Sequence, residues 1–449
     1  MGAFRFLFVC LVLLPSFVFS LTLEESAKSI LSAHPKIKES VENYNSVKKE
    51  YNIAENGYYP TLDLIGSYGA ESVKSPATNQ EKLSSAREET SLVLTQNIFD
   101  GYATENIIKQ QEGRLNASAF SVAEKADRTL LALTSAYLGL LKQKELLELS
   151  EENVKTHEAI FKQIKERSDS GFGRLSETQQ AGSRLTLSKS NYIAQQNNYR
   201  DAISTFEKVY GARVEASDLT HPIFKFSLPD NFSKVKDSSF TCNPSVRVQE
   251  ANIRYADAMY DGSSAAFYPK VDIEIAGTVG RDFSGTDGKQ ESASALLKFK
   301  YNLYNKGADS LDKEKYAVLV LREKETLANI KRDLQESVKF SWENYEATKE
   351  RIVLLEEHKK YSKETLDSYQ QEFAIGRRDL INLLDAEGEY YSARQALAEA
   401  KSAHEYAKYR LLDNMGVLTD YFQPDFAKTY RIQMCSHKDV LTPLVEAQK

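Results

Sequence analysis

Two periodicities alternate along this chain. In Val271-Asp272-Ile273-Glu274-Ile275, apolar side chains point one way and acids the other. Leu62-Asp63-Leu64, the run from Ser91 to Gln96 and the run from Leu297 to Tyr301 alternate in the same manner. A period of two predicts strands, each about 9–12 residues long, the length of a tilted transmembrane β-strand. The polar stretches 71–89 and 281–292 read as loops. After Asp100 the period changes. Leu133, Leu140, Leu147, Val154 and Phe161 recur every seventh residue, a coiled-coil-like seam. It predicts one helix running to about Ser170, roughly 105 Å long at 1.5 Å per residue. A second seam, Val338, Tyr345, Ile352, Lys359 and Leu366, has the same register with one polar member. Gly171-Phe172-Gly173 and Gly376 break these helices. Helices resume near Ser176 and Asp379 and stop at Gly211 and Gly416, where a C-terminal glycine belongs. Earlier helices, over about 23–57 and 244–266, are closed by Tyr59-Pro60 and Tyr268-Pro269, because the residue before proline avoids the helical region.

The second set of elements repeats the first. His34-Pro35 recurs as Asn243-Pro244, Tyr59-Pro60 as Tyr268-Pro269 and Asp63 as Asp272, all 209 residues later. The offset then becomes 205: Asn97-Ile98-Phe99 recurs as Asn302-Leu303-Tyr304, Gly171 as Gly376, Leu175 as Leu380, Ala181 as Ala386 and Gly211 as Gly416. Internal duplication is the main organisational signal. It divides the chain into a leader 1–20, a first repeat 21–219, a linker 220–239, a second repeat 240–420 and a C-terminal extension 421–449. Each repeat reads as helix, two strands, long helix, helix.

Composition narrows the class. Ten prolines in 449 residues leave room for long uninterrupted helices. A net charge of −6 gives no basic footprint, so no nucleic-acid partner is expected. Past residue 20 no apolar run approaches the ~20 residues of a spanning helix. The leader has Arg5 followed by an apolar run from Phe6 to Phe19, with cleavage expected after Ser20, which marks a secretory signal peptide. The remaining cysteines, Cys242 and Cys435, read as a disulfide in an oxidising compartment, with two buried free thiols as the alternative. Twenty-five tyrosines and 21 phenylalanines against one tryptophan are unusual for a helical rod. Tyr58, Tyr59, Tyr68, Tyr102, Phe267, Tyr268, Tyr301 and Tyr304 flank the strands, where a membrane interface would place them. Four strands cannot close a barrel, since membrane barrels start at eight. Three chains would supply twelve. The competing reading is a small soluble sheet packed on the helices. The histidines form neither HExxH nor a Cys/His cluster, and no phosphate-binding loop is present, so no enzyme, cofactor or metal site is expected.

The chain resembles the TolC-like outer membrane efflux protein family over about 23–420. The resemblance is carried by Ala33-His34-Pro35, Tyr58-Tyr59-Pro60-Thr61-Leu62, the strand-to-helix motif from Leu94 to Gly101, Phe373-Ala374-Ile375-Gly376 and Leu383-Leu384-Asp385-Ala386. It implies a mainly α fold with transmembrane β. In a homotrimer, a 12-stranded barrel in outer membrane lipid would continue into a periplasmic α-barrel of 12 helices. It also implies a periplasmic adaptor and an inner-membrane pump as partners, in tripartite efflux or type I secretion. By the same resemblance, the turns at Gly171, Gly173, Gly376 and Arg377 are adaptor-docking tips. Arg378 would close the gate against Glu177 and Ser176, with Phe373 standing where a tyrosine is usual. Asn382 and Asp385 would form the periplasmic aperture, with half the usual acidic charge. The rival is a secreted or periplasmic coiled-coil protein without a pore, which explains the heptads but not the duplicated strands.

Overall fold

The computed structural model describes residues 21–74, 76, 83–214, 219–282, 284 and 288–443; the leader 1–20 lies outside them. The first half contains α1 (Leu23–Ala33), α2 (Pro35–Glu55), β1 (Thr61–Val73), β2 (Leu83–Phe99), α3 (Ala103–Asp169) and α4 (Leu175–Tyr210). A short strand β3 (Phe226–Ser227) follows. The second half contains α5 (Phe232–Cys242), α6 (Pro244–Ser263), β4 (Lys270–Arg281), β5 (Lys289–Lys300), α7 (Ala308–Ala374) and α8 (Leu380–Asn414). The described residues end with α9 (Leu418–Phe422), α10 (His437–Val440) and β6 (Thr442–Pro443).

The two long helices, α3 and α7, are 67 residues each and begin and end 205 residues apart. That corresponds to about 100 Å per helix. Each folds back on the next to make an antiparallel hairpin, α3 with α4 and α7 with α8. The expected seam is buried at Leu133, Leu140, Val338 and Leu366, and half-buried at Leu147, Val154, Phe161, Tyr345 and Ile352. Fully burying a leucine contributes roughly 1.5–3 kcal/mol, so the four buried positions carry most of the seam's packing. The N-cap of α3 is Tyr102, in a left-handed conformation. Asp100 acts from two residues further back, accepting hydrogen bonds from the Thr104 N–H at 2.9 Å and the Thr104 hydroxyl at 2.6 Å. At the second site Gly307 is the N-cap of α7.

Three expectations need correction. The predicted helix 23–57 is two helices with a break at His34, where Pro35 opens α2 and the His34 side chain accepts from the Lys36 N–H at 3.2 Å. Asn243 caps α6 in the same way, accepting from the Ser245 N–H at 3.0 Å. Secondly, the strands of the first half reach further than expected, to 13 and 17 residues, and take in 71–73 and 83–89 of the stretch read as a loop. Their outer ends carry Arg87, which pairs with Glu71 across the hairpin and with Glu89 on its own strand, so these polar residues belong to the ladder. Thirdly, 220–239 is no simple linker. Within it begins α5, capped by Asn231, which starts 209 residues after α1 and has the same 11-residue length.

Around the middle of the hairpins these extra elements form a collar. β3 pairs with β6 from the C-terminal extension. Cys242 and Cys435 are joined by a disulfide, with Cα atoms 5.5 Å apart, which ties α5 to that extension. Phe224, Tyr409, Tyr421 and Phe422 stack or meet edge-on beneath it. The buried Tyr137 hydroxyl lies 2.9 Å from the Leu21 carbonyl oxygen and 2.6 Å from that of Thr220, fastening both segments to α3.

Candidate functional site

The four long strands form one antiparallel sheet in the order β1-β2-β4-β5. Register fixes its faces. Leu62, Leu94 and Ile275 lie directly opposite one another across three strands. Leu64 and Leu92 make the next rung, and Ile273 and Leu297 pair on the same side. The other face carries Asp63, Thr95, Asn97, Asp272, Glu274 and Lys298. There the Asn97 amide donates to Asp272 at 2.8 Å, Lys298 pairs with Glu274, and the Ser91 and Thr278 hydroxyls meet at 2.9 Å. The apolar face has nothing packed on it: Leu64 is 73% exposed and Leu297 72%. A soluble sheet resting on the helices would bury this face, so that reading fails. A sheet that is apolar outside and polar inside suits a lipid boundary. The flanking aromatics are exposed as well, and Phe99, Tyr102 and Tyr268 pack edge-on where the sheet meets the helices. Among the described residues, no helix is long and apolar enough to cross a membrane.

At the opposite end lie the two hairpin turns. Gly171 and Gly376 have φ of +82° and +74°, a left-handed conformation that costs any residue with a Cβ. The Phe172 N–H donates to the Arg167 carbonyl at 3.1 Å, and the equivalent Arg377 N–H to that of Glu372 at 2.9 Å. Both are Schellman endings that satisfy carbonyls at the helix end. Gly173 is small for another reason: a Cβ there would stand 2.8 Å from the Ser168 nitrogen.

The sequence-derived gate residues gather near these turns, in different company from that expected. Arg378 folds back on its own turn. Its Nε and Nη2 donate to Glu372 at 2.7 and 2.6 Å, and its guanidinium lies 3.9 Å from the Tyr369 ring centre. Within one chain its charge is therefore met by Glu372 rather than by Glu177 or Ser176, because the turn doubles the chain back over the end of α7. Phe373 is buried with Ile164, Leu366, Leu380 and Leu384. Lacking a hydroxyl, it is a core residue of the turn and makes no polar gate contact. Ser176 is exposed, and Glu177 and Asn382 are half-buried. Asp385 is exposed and paired with Arg184 of the other hairpin at 3.0 Å. Arg184, Glu372 and Tyr369 were missed in the sequence. Charge differences between the repeats offered a clue, since Arg184 corresponds to Glu389 and Asp385 to Gln180 at the 205-residue offset.

Midway along the hairpins, a cavity of 480 Å³ is lined by Glu124, Asp127, Arg128, Asp333 and Asp413, among others. The buried Asp127 carboxylate accepts the Thr419 N–H at 2.8 Å and also the Thr419 hydroxyl, which favours its charged form. Burial, followed by repulsion from Asp413, outweighs those bonds and pushes its pKa up to about 8. Among the described residues, no group of three or more His, Cys, Asp or Glu could hold a metal.

A duplicated pair of long helical hairpins joined to a two-faced four-stranded sheet defines one protomer of a membrane channel-tunnel. The chain belongs to the outer membrane efflux protein family, which it matches over residues 27–212 and 239–417. It is a transport channel of the outer membrane, not an enzyme. It is 22% identical over 370 residues to the outer membrane efflux protein BepC of Brucella suis biovar 1 (strain 1330), covering 82% of this chain and 79% of BepC. It is 20% identical over 406 residues to the outer membrane protein TolC of Escherichia coli (strain K12), covering 86% and 80%. A crystal structure of CusC superposes with a TM-score of 0.78 at 13% identity, over 88% of this chain and 93% of that one. At that identity the structural likeness supports the fold alone.

Proposed function

We propose that three copies of this chain form one continuous conduit. The observation that carries this reading is the open, two-faced sheet. With all neighbours antiparallel in the order β1-β2-β4-β5, its edge strands β1 and β5 run in opposite directions. The β5 edge of one copy can therefore continue the antiparallel ladder into β1 of the next. Three copies give twelve strands, an even number that closes, and closure removes both unpaired edges. The long hairpins then line a tunnel toward the inner membrane. At the tips Phe172 is 85% exposed, and Leu175 and Ile375 are also open, beside Arg174 and Arg377. This mixed apolar and basic rim suits docking of a periplasmic adaptor, through which an inner-membrane pump would deliver substrate. Asn382 and Asp385 would form the aperture, with Arg378, Glu177 and Ser176 contacting one another between copies. Native mass measurement of detergent-extracted protein should give three chains; a stable single chain would sink the assembly.

A further inference from the structure

Asp385 stands 5 residues past the start of α8 and Arg184 stands 9 past the start of α4, so both lie close to the tip turns. They belong to different hairpins. Arg184 Nη2 and Asp385 Oδ1 are 3.0 Å apart. A second link between the hairpins, Arg394 of α8 to Glu152 of α3, lies further along α8. We propose that Arg184 masks the Asp385 carboxylate while the channel is closed, so that the aperture presents an acidic ring only when the two hairpins separate. This rests on the reading that position 385 lines the aperture.

The repeat shows that the pairing is particular to these positions. Ala181 and Ala386 are equivalent and both buried, which places the two helices in the same packing register. Four residues after position 180 or 385, on the same face, the halves diverge: Gln180 and Arg184 in α4, Asp385 and Glu389 in α8. Glu389 finds its partner within its own hairpin, at His358 Nε2, 2.8 Å away. Asp385 takes its partner from the other hairpin. On α3, burial first and the Arg184 charge second lower the pKa of the buried His157.

Strength decides what the pair can do. Arg184 and Asp385 side chains are 43% and 59% exposed, and such pairs add little stability. The bridge is therefore no lock. Its consequence is electrostatic: three carboxylates around one axis attract cations, and a guanidinium within hydrogen-bond distance of each cancels the field.

Block by hexaamminecobalt(III), added on the tip side of single channels in planar bilayers, reads this directly. Arg184→Gln should tighten block by at least about tenfold, equivalent to 1.4 kcal/mol. Arg184→Lys should keep the weak block of the parent. Asp385→Asn, alone or combined with Arg184→Gln, should abolish what block there is. Unchanged block in Arg184→Gln, with Asp385→Asn still effective, overturns the masking while leaving the ring in place. No effect of Asp385→Asn in the Arg184→Gln background overturns the aperture reading itself. Native mass of each variant separates these outcomes from failed assembly.

Discussion

Asp127 shows how opposing forces resolve at one residue. Two donors from Thr419 favour its carboxylate, yet burial and the nearby Asp413 win. Burial raises Asp413 too, to about 6, against the pull of Arg128 and Arg410. Both folded-state pKa values lie above the unfolded value of about 3.9. Between those limits the folded protein holds more protons than the unfolded chain. Stability from these groups is thus fully present below about pH 4 and is lost as pH rises toward 8. Melting temperature in detergent should fall across that window, and Asp127→Asn should flatten the fall while its amide oxygen still accepts from Thr419. An unchanged slope would show that Asp127 is charged throughout. Arg378 is a second residue-scale case. Its contact with Glu372 is charge-assisted, and hydrogen bonds of that kind contribute roughly 1.5–3 kcal/mol. Arg378→Ser should loosen the tip turn and raise single-channel conductance. Conductance equal to the parent would remove Arg378 from the gate.

Among elements, the collar depends on one staple and one close approach. The disulfide closes a loop of 193 residues between α5 and the C-terminal extension. Losing a native disulfide typically costs about 2–5 kcal/mol. Replacing both cysteines with serine should make the region after Phe422 the first site of limited proteolysis. Equal protease resistance would show that β3–β6 pairing and aromatic packing suffice. Gly416 lies against the same staple: a Cβ there would come 2.5 Å from the Cys242 carbonyl oxygen, at a φ of +67°. Gly416→Ala should therefore destabilise by roughly 1–3 kcal/mol. Gly376→Ala, which meets open space at a similar φ, should cost only the left-handed strain of about 1–2 kcal/mol. Paired thermal melts test the difference.

For the whole molecule, the exposed sheet is the decisive feature. Leu62, Leu64, Leu297 and Phe299 face outward with no covering layer, and both sheet edges are open. Neither condition is tolerable for a single chain in water. A membrane relieves the first and assembly the second, so extraction should require detergent and yield the oligomer. Charged substitution on this face, such as Leu297→Arg, should cost about 2–4 kcal/mol if it sits near the bilayer centre. A matched change on the polar face, Ser294→Arg, should cost far less. Equal costs, measured as loss of the assembled species on heating, would place the sheet outside the bilayer.

Strand alternation, the heptad seams, the glycine breaks and the duplication were all legible in the sequence, because each is set by local period or by a residue that only one backbone conformation suits. α3 and α7 repeat at the 205-residue offset to the residue. The α1–α5 equivalence was hidden, because burial is shared there but residue identity is not: Ser26 matches Val235 and Ile30 matches Ser239. The partners of the gate residues were hidden too. Arg378 to Glu372 depends on the handedness of a turn, and Arg184 to Asp385 on how two hairpins 201 residues apart in sequence lie together. A linear pattern determines which face a side chain occupies; which charge it meets across that face is decided only when the faces are packed.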